Sequence, residues 1–290
     1  MVRSTAPLLY VQESVVLVGD GMKQAKEGRR MPGVKKLHQE SENSSKGEYI
    51  FGHLFGAIGI LAGTPQKCFC LPLSINLQDG VKTIFGWDKQ PEDRQASHVV
   101  QMIDQAFASA KAFGSALLLL DRYFLSIPAL ERLGVWNQSR AARLHIVAKV
   151  KANAVAYERP AVRKKGRGRP PKKGQMVKLI ELFHNRAAEF RTATVTMYGK
   201  EESVKFLCLD LLWGQGLYQE LRFVLVRQGD QLSILASTDL TLAAEDTIRF
   251  NDLPGIPAAG SAAHHRAKAD ARSRRAHFAK THGCGDLSTL

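Results

Sequence analysis

Cysteine is scarce in this sequence, and the few cysteines form no recognisable framework. The 290 residues contain four of them: Cys68, Cys70, Cys208 and Cys284. Cys68 and Cys70 are separated by one residue, which is too close for an ordinary disulfide or a zinc knuckle. We therefore expect reduced, buried thiols rather than a disulfide-stabilised fold.

Long apolar runs are missing as well. No segment approaches the roughly 20 consecutive apolar residues that a membrane-spanning helix needs. The N-terminal segment MVRSTAPLLY lacks the sustained apolar core of a signal peptide. These absences predict a cytoplasmic protein with no membrane partner.

Acidic residues are heavily outnumbered by basic ones. The chain has 27 Asp and Glu against 41 Lys and Arg, which gives a net charge of +14 and an isoelectric point near 9.8. Such a surplus is typical of proteins with a polyanionic partner, and nucleic acid is a more common partner than a membrane. Hydrophobic residues still make up 44% of the chain, enough for a real core. DNA is therefore the expected partner, which implies association with the nucleoid.

The first part of the chain shows strand patterns followed by a helix pattern. Val15–Val18 is an apolar, β-branched run that leads to Asp20, which predicts a buried strand. Two further strand patterns, EYIFGHLFGAIGILAG and KCFCLPLSINLQDG, are separated by turn residues and predict a meander with the first strand. Apolar residues at spacings of three and four then predict an amphipathic helix within residues 91–114.

The strand pattern returns after this helix. SALLLLDRYF carries an apolar run into Asp121, and SIPALERLGVW predicts a short helix with Pro128 in its first turn. ARLHIVAKVKANAVAYE then predicts one more alternating strand. Three strands, a helix, a strand, a helix and a strand together predict a mixed α/β fold.

The second half of the chain has a different composition. RPAVRKKGRGRPPKKGQ, from Arg159, is nearly all Arg, Lys, Gly and Pro and predicts a loop or arm. FRTATVTMYG, SVKFLCLDLLWG, LYQELRFVLVRQ and QLSILAST predict an inserted antiparallel meander. LTLAAEDTIRF begins a helix with Thr241 as its N-cap. After Phe250 the large apolar residues and the periodicity are lost, which predicts disorder.

Two aspartates occupy equivalent positions, at the C-terminal ends of the first and fourth predicted strands. Asp20 or Asp121 alone would be explained as a turn former or a helix cap. If the two strands are neighbours, the carboxylates converge, and such a pair is costly unless a divalent cation lies between them. Mg²⁺ binds one or two carboxylates together with phosphate oxygens, so the pair predicts a catalytic magnesium site for a phosphodiester.

These motifs resemble those of a known family. VGDGMKQAKEGRRMPGVKKLHQESENSSKGEYIFGH, LLLLDRYF and ILASTDLTLAAEDTI are similar to DDE-type transposases of bacterial insertion sequences, from about Val15 to Phe250. The resemblance implies an RNase H-like core interrupted by a β-rich insertion. It also implies a two-Mg²⁺ site that cuts DNA and joins the freed 3′-hydroxyl to a target. By motif, Asp20 is the first acid and Asp121 the second.

The third acid of that family does not appear in this chain. The resemblance places it as a glutamate on the helix that follows the TDL turn, Thr238–Leu240, but no Glu occurs after Glu245, which lies too early. We hypothesise that the reading frame changed near codon 250, so the missing pattern should be found in another frame downstream. The N-terminus is also shorter than expected for the family. The chain is therefore predicted to be an inactive fragment.

Two basic segments are candidate DNA contacts. Lys164 to Gly174, KKGRGRPPKKG, resembles an AT-hook that lies in an A·T minor groove, with a solvated linker as the alternative. The other segment directly follows the first acid. It is interpreted either as an active-site loop that holds the phosphodiester or as an exposed turn. His53 is expected to pack or hydrogen-bond locally. The predicted DNA contacts are Lys23, Lys26, Arg29, Arg30, Lys164, Lys165, Arg167, Arg169, Lys172 and Lys173.

Two functions remain open at this point. One is a transposase with a DDE site, which acts on transposon ends and target DNA as a homodimer. This chain is expected to have lost that activity, because the third acid is missing. The other is a DNA-binding protein without chemistry that acts through the basic arm. A general nuclease on the same core is a third interpretation. The predicted segments are 1–157 (catalytic core), 158–178 (basic arm), 179–238 (β-rich insertion), 239–250 (start of the final helix) and 251–290 (disordered, out-of-frame tail).

Overall fold

A computed structural model of the protein describes residues 7–28, 31–38, 49–64, 67–78, 97–161, 170–197 and 200–251. These residues all belong to one contact unit, Met1–Pro257. They form a mixed α/β fold with one large, mostly antiparallel sheet that includes some parallel strands, which confirms the predicted fold class. No helix in the described ranges is long and apolar enough to cross a membrane. Of the tail predicted to be disordered, residues 251–290, only Asn251 is described, as the last residue of a helix; the rest lies outside the described residues.

The elements of the first half are, in chain order, β1 (Tyr10–Val11), β2 (Ser14–Ala25), β3 (Lys35–His38), β4 (Tyr49–Thr64), β5 (Lys67–Leu77), α1 (His98–Ala110), β6 (Ser115–Leu120), α2 (Ile127–Gln138), β7 (Arg143–Lys149) and β8 (Val155–Tyr157). Those of the second half are β9 (Met176–Lys178), α3 (Leu182–Asn185), β10 (Arg191–Met197), β11 (Lys200–Trp213), β12 (Gln219–Gln228), β13 (Gln231–Ser237) and α4 (Ala244–Asn251). Single 3₁₀ turns at Leu179–Glu181 and Ala187–Glu189 flank α3.

Five strands form the central part of the sheet in the order β5-β4-β2-β6-β7. β4 is antiparallel to both β2 and β5, as expected of the predicted meander. β2, β6 and β7 are parallel. An antiparallel meander that continues into parallel strands is the arrangement expected of an RNase H-like core.

The register between β2 and β6 is constant. Val15 pairs with Ala116 and Val18 with Leu119. The hydroxyls of Ser14 and Ser115 share a hydrogen bond of 2.6 Å at the start of the two strands, with the same separation of 101 residues. Two residues beyond the last pair, this register places Asp20 opposite Asp121, since their numbers also differ by 101.

Both faces of the central strands are covered. On one face Leu17 and Leu118 share a buried cluster with Met102 and Phe107 of α1, which is the helix predicted from the apolar spacing. On the other face Val16, Val18, Leu117 and Leu119 share a buried cluster with Phe250 of α4. Burial on both faces explains why these strands appear as continuous apolar runs in the sequence.

The predicted meander of the second half is present, and it extends the central sheet instead of forming a separate one. β13 pairs with β7 in antiparallel orientation, and β12 and β11 follow in turn. β10 and β8 both pair with β11. This pairing covers the C-terminal part of β7, residues 147–149, so that part of β7 is not an exposed edge.

Several local predictions differ from the structure. The strand predicted over ARLHIVAKVKANAVAYE is divided into β7 and β8, because the chain turns where the Ala154 N–H donates to the Lys151 carbonyl at 3.0 Å. Thr241 is not an N-cap, since α4 begins at Ala244. Instead, the Thr241 N–H and Oγ1 donate to Asp239 Oδ1 at 2.8 and 2.7 Å.

Two other local features concern the start of α2 and the thiols. Pro128 lies in the first turn of α2, as predicted, and Ser126 caps this helix by accepting the Ala129 N–H at 3.4 Å. Cys70, however, is exposed and Cys68 and Cys208 are half-buried, so the expectation of buried thiols was wrong. Partial burial nevertheless raises the pKa of all three thiols, so they are less reactive than free cysteine.

Candidate functional site

Asp20 and Asp121 lie side by side where β6 leaves the sheet. Asp121 is the first residue after β6, as predicted for a strand end. Asp20, however, does not end its strand: it is in the middle of β2, because pairing with β4 continues as far as Ala25. Because side chains alternate along a strand, both carboxylates project from the face that carries Val18 and Leu119. The charge of Asp121 acts directly on the Asp20 carboxyl. The structure thus brings together the two acids identified in the sequence.

The two carboxylates are oriented by the backbone. The Gly21 N–H donates to Asp20 Oδ1 at 2.8 Å, and the Arg122 N–H donates to Asp121 Oδ1 at 2.7 Å. Burial raises the pKa of Asp20, and the negative charge of Asp121 raises it further, against the opposing effect of the Gly21 hydrogen bond. The ionised form of Asp20 is therefore disfavoured unless a positive charge is supplied.

Gly19 allows the close packing that holds this site together. A Cβ at position 19 would lie 2.7 Å from Leu120 Cδ2 and 3.2 Å from Met102 Sδ. A side chain here would force the Leu120 side chain, and those packed beside it, to move immediately before the first acid. The glycine before Asp20 is thus explained by packing, whereas a Cβ at Gly21 would meet Phe124 Cζ at an ordinary 3.5 Å.

The described residues provide two acids for a metal ion, not three. Among them, no group of three or more His, Cys, Asp or Glu side chains is placed to hold a metal. Glu245, the last glutamate of the chain, lies elsewhere, since its charge acts on Cys208 of β11. Asp20 and Asp121 still fit Mg²⁺, which in proteins often takes one or two carboxylates and completes its octahedron with water and phosphate oxygens.

The turn after Asp121 adds a cation and an aromatic stack that the sequence analysis missed. The turn is closed by the Phe124 N–H, which donates to the Asp121 carbonyl at 3.0 Å. Arg122 is exposed within it. Tyr123 is 48% exposed and stacks on His98 of α1 with ring centroids 4.9 Å apart. The available signal was an arginine and an aromatic residue directly after a strand-end acid.

Beyond the acids, β2 continues as part of a three-stranded ribbon with β4 and β3. β2 pairs with β4 as far as Ala25 and Gly52, and β3 pairs with the opposite side of β4. β6 has already ended at Leu120. Within the described part of the chain, the outer half of β2 therefore has no strand on its second side.

The segment predicted as a basic active-site loop belongs to this ribbon instead. Lys23 lies within β2, on the face opposite to Asp20, and its Nζ donates to the His38 carbonyl at 2.8 Å. Lys26 directly follows β2, and its N–H donates to the Phe51 carbonyl at 2.8 Å. Pairing with β4 thus makes this segment a strand, although its polar, glycine-containing local sequence favours a loop. Arg29 and Arg30 lie outside the described residues.

The central part of the basic arm, residues 162–169, also lies outside the described residues, but both of its flanks are described. β8 pairs with β9, and the Gly174 N–H donates to the Glu158 carbonyl at 2.8 Å. Lys172 is exposed, whereas Lys173 Nζ lies 4.0 Å from the ring centroid of Tyr157. Lys173 thus packs at the base of the arm. Four predicted DNA contacts of the arm lie outside the described residues: Lys164, Lys165, Arg167 and Arg169.

Comparisons with known proteins give little further information. No protein-family model and no curated protein matches the chain. Among solved structures, the chain is similar to the NurA nuclease from Sulfolobus solfataricus, with a TM-score of 0.33 and 11% sequence identity, over 97% of this chain and 89% of that chain. A similarity at this level supports no argument about activity.

Proposed function

We propose that the chain is the core of a DDE-type transposase, a polynucleotidyl transferase that binds DNA phosphate at a magnesium site formed by Asp20 and Asp121. The observation that carries the proposal is the register of β2 and β6, which places the two acids opposite each other on one face. The family uses three acids, and the described residues provide two. We therefore propose that this chain binds the cation and DNA but does not cleave DNA.

The residues of the site have distinct roles in this proposal. Asp20 and Asp121 hold the cation, and the N–H groups of Gly21 and Arg122 keep their carboxylates in position. A bound Mg²⁺ would neutralise charge on a DNA phosphate and so hold the DNA at the two acids. The exposed guanidinium of Arg122, next to the second acid, is suited to contact a phosphate of the same strand.

The charge of the chain supports DNA as the partner and the nucleoid as its location. A net charge of +14 favours association with a polyanion. Binding through several lysine–phosphate contacts should weaken steeply as salt increases, because counterions are released from DNA. A homodimer on DNA remains part of the proposal by resemblance to the family.

Cation binding is the first test of the site. We expect Mg²⁺ or Mn²⁺ to raise the melting temperature of the unaltered chain and to have little effect on Asp20→Asn or Asp121→Asn. Asp230→Asn is the matched control, because Asp230 is an exposed aspartate in the turn between β12 and β13. A response of the two acid variants equal to that of the control would show that the ion does not bind at this pair.

DNA cleavage is the second test. In the presence of Mg²⁺, the unaltered chain should bind supercoiled plasmid and labelled duplex DNA. It should cut them no faster than the Asp20→Asn variant does. Cleavage that depends on both acids would show that the site is active and that our assignment of inactivity is wrong. DNA binding that is identical in all variants and independent of the cation would favour the alternative, a non-catalytic DNA-binding protein that uses its basic arm.

A further inference from the structure

The outer half of β4 has an aromatic ring at every second position. Tyr49, Phe51, His53 and Phe55 alternate with aliphatic residues and glycine. Residues two apart on a strand share a face, so the four rings lie on one side of the ribbon. That side also carries Asp20, because Met22 pairs with Phe55 and Asp20 pairs with Ala57 two positions further along.

Three of these rings and a methionine form a surface that we call the aromatic strip: Met22, Tyr49, Phe51 and Phe55. Tyr49 is 46% exposed and Met22 is 40% exposed, while Phe51 and Phe55 are half-buried. His53 is not part of it, because its Nε2 is hydrogen-bonded to the Pro32 carbonyl at 2.9 Å, the local role expected from the sequence. Large apolar side chains grouped on an exposed ribbon indicate a binding surface.

Positive charges border the aromatic strip. Lys36 of β3 pairs with Phe51, and its Nζ lies 4.1 Å from the ring centroid of Tyr49. On the other side of β4, Lys26 is bonded through its N–H to the Phe51 carbonyl. Rings flanked by ammonium groups are the combination that binds single-stranded nucleic acid, in which bases stack on the rings and phosphates contact the cations.

The dimensions of the strip suit an extended strand. Rings at alternate positions are about 6.7 Å apart along β4, and the seven residues from Tyr49 to Phe55 span about 20 Å. The strip ends at Phe55, one alternate position before the Ala57–Asp20 pair. A nucleic-acid strand that follows the rings would therefore lead to the two acids.

We propose that the aromatic strip binds single-stranded DNA by stacking bases on Phe55, Phe51 and Tyr49, with Lys26 and Lys36 on the phosphates. Duplex DNA is not the ligand, because paired and stacked bases do not offer their faces to aromatic side chains. Delivery of the strand to Asp20 and Asp121 rests on the function proposed above, whereas the binding itself does not.

Tyr49 gives the most direct test. In EDTA, fluorescence anisotropy with a labelled oligothymidine of about 12 nucleotides, within the site sizes of single-strand binders, should show tight binding and weak competition by duplex. Tyr49→Leu keeps an apolar side chain but removes the ring, and we expect its Kd to rise roughly 5- to 150-fold. Tyr49→Trp should retain the affinity of the unaltered chain.

The matched control is Tyr10→Leu. Tyr10 is 55% exposed on β1 and pairs with Val15, at the opposite end of β2. Its replacement should leave the Kd unchanged. Equal affinities of the Tyr49→Leu and Tyr10→Leu variants for the single strand would overturn the proposal, and so would duplex that displaces the labelled strand as efficiently as unlabelled single strand does.

A cross-linking experiment tests the position on the unaltered chain. An oligonucleotide with 5-iodouracil should cross-link to the segment Tyr49–Phe55 on irradiation, and cross-links confined to other segments would contradict the proposal. The two proposals are tested separately, because oligonucleotide binding is measured in EDTA and the metal site is tested with Mg²⁺. An Asp20→Asn variant that still responds to Mg²⁺ would therefore refute only the metal site, whereas unchanged binding by Tyr49→Leu would refute only the strip.

Discussion

The inner and outer halves of β2 and β4 differ although each belongs to one continuous strand. Val15–Val18 and Ile58–Ala62 are buried on both faces, while Met22–Ala25 and Tyr49–Phe55 expose one face or both. The change occurs at Asp20 and its partner Ala57. One pair of strands thus contributes to the core at one end and forms a recognition surface at the other, with the acids at the boundary.

The largest expected effect is in the inner half. Leu17 is fully buried between β4, β6 and α1, so Leu17→Ala should lower the free energy of unfolding by about 2–5 kcal/mol. Urea denaturation measures this change. Leu232→Ala, at an exposed leucine of β13, should change it by less than about 0.5 kcal/mol. Similar losses in both variants would show that the inner half does not stabilise the fold more than the periphery.

A smaller effect is expected at the boundary between the halves. A Cβ at Gly56 would lie 1.8 Å from Nε2 of Gln78, a buried side chain that donates to Gln105 Oε1 at 3.1 Å. Gly56→Ala should therefore cost about 1–3 kcal/mol through overpacking. Gly134→Ala in α2, where a Cβ meets nothing within 4 Å, should stabilise the protein by up to about 1 kcal/mol. Thermal unfolding distinguishes the two signs.

Asp20→Asn should increase stability in the absence of a cation. Burial and Asp121 raise the pKa of Asp20 in the folded state, so the folded chain binds this proton more tightly than the unfolded chain. Stability from this group is present below the unfolded pKa and is lost as pH rises through the folded pKa. In EDTA the variant should melt higher than the unaltered chain at neutral pH, and this difference should vanish in acid. A variant that melts lower at neutral pH would contradict the assignment.

The smallest effect on stability is expected in the outer half. Tyr49→Leu changes a side chain that is largely exposed, so its free energy of unfolding should stay within about 0.5 kcal/mol of that of the unaltered chain. The same variant should lose affinity for single-stranded DNA. If it unfolded far more easily, the aromatic strip would have to be regarded as part of the core.

The inner half of β2 and the strand β6 could be predicted, because their burial produces a recognisable pattern in the sequence. Parallel strands covered on both faces require continuous apolar runs, and SVVLV and SALLLL are such runs. The outer half of β2 was not predictable in the same way. MKQA has no strand period, and it is held in the sheet by backbone bonds to β4, a tertiary contact that overrides local preference.

The acid pair was predictable for a related reason. Asp20 and Asp121 both follow apolar runs, and those runs are the parts of β2 and β6 that pair in parallel, so the residues just beyond them lie side by side even though β2 itself continues. The aromatic strip was missed because EYIFGHLFG matches a strand pattern whether its face is covered or open. Whether that face is covered depends on which elements pack against it in the fold, and no local pattern of β4 records this; in the structure Tyr49 is 46% exposed.

The side-chain contacts between β2 and β6 differ at the two ends of the paired region. Ser14 and Ser115 attract each other through a hydrogen bond of 2.6 Å, while Asp20 and Asp121 repel each other. In hydrogen–deuterium exchange without a cation, amides of β2 near Gly19 should consequently exchange faster than those near Val16. A cation bound between the acids would remove this difference in exchange rate. The exchange of the β2 amides would therefore show whether the cation is bound.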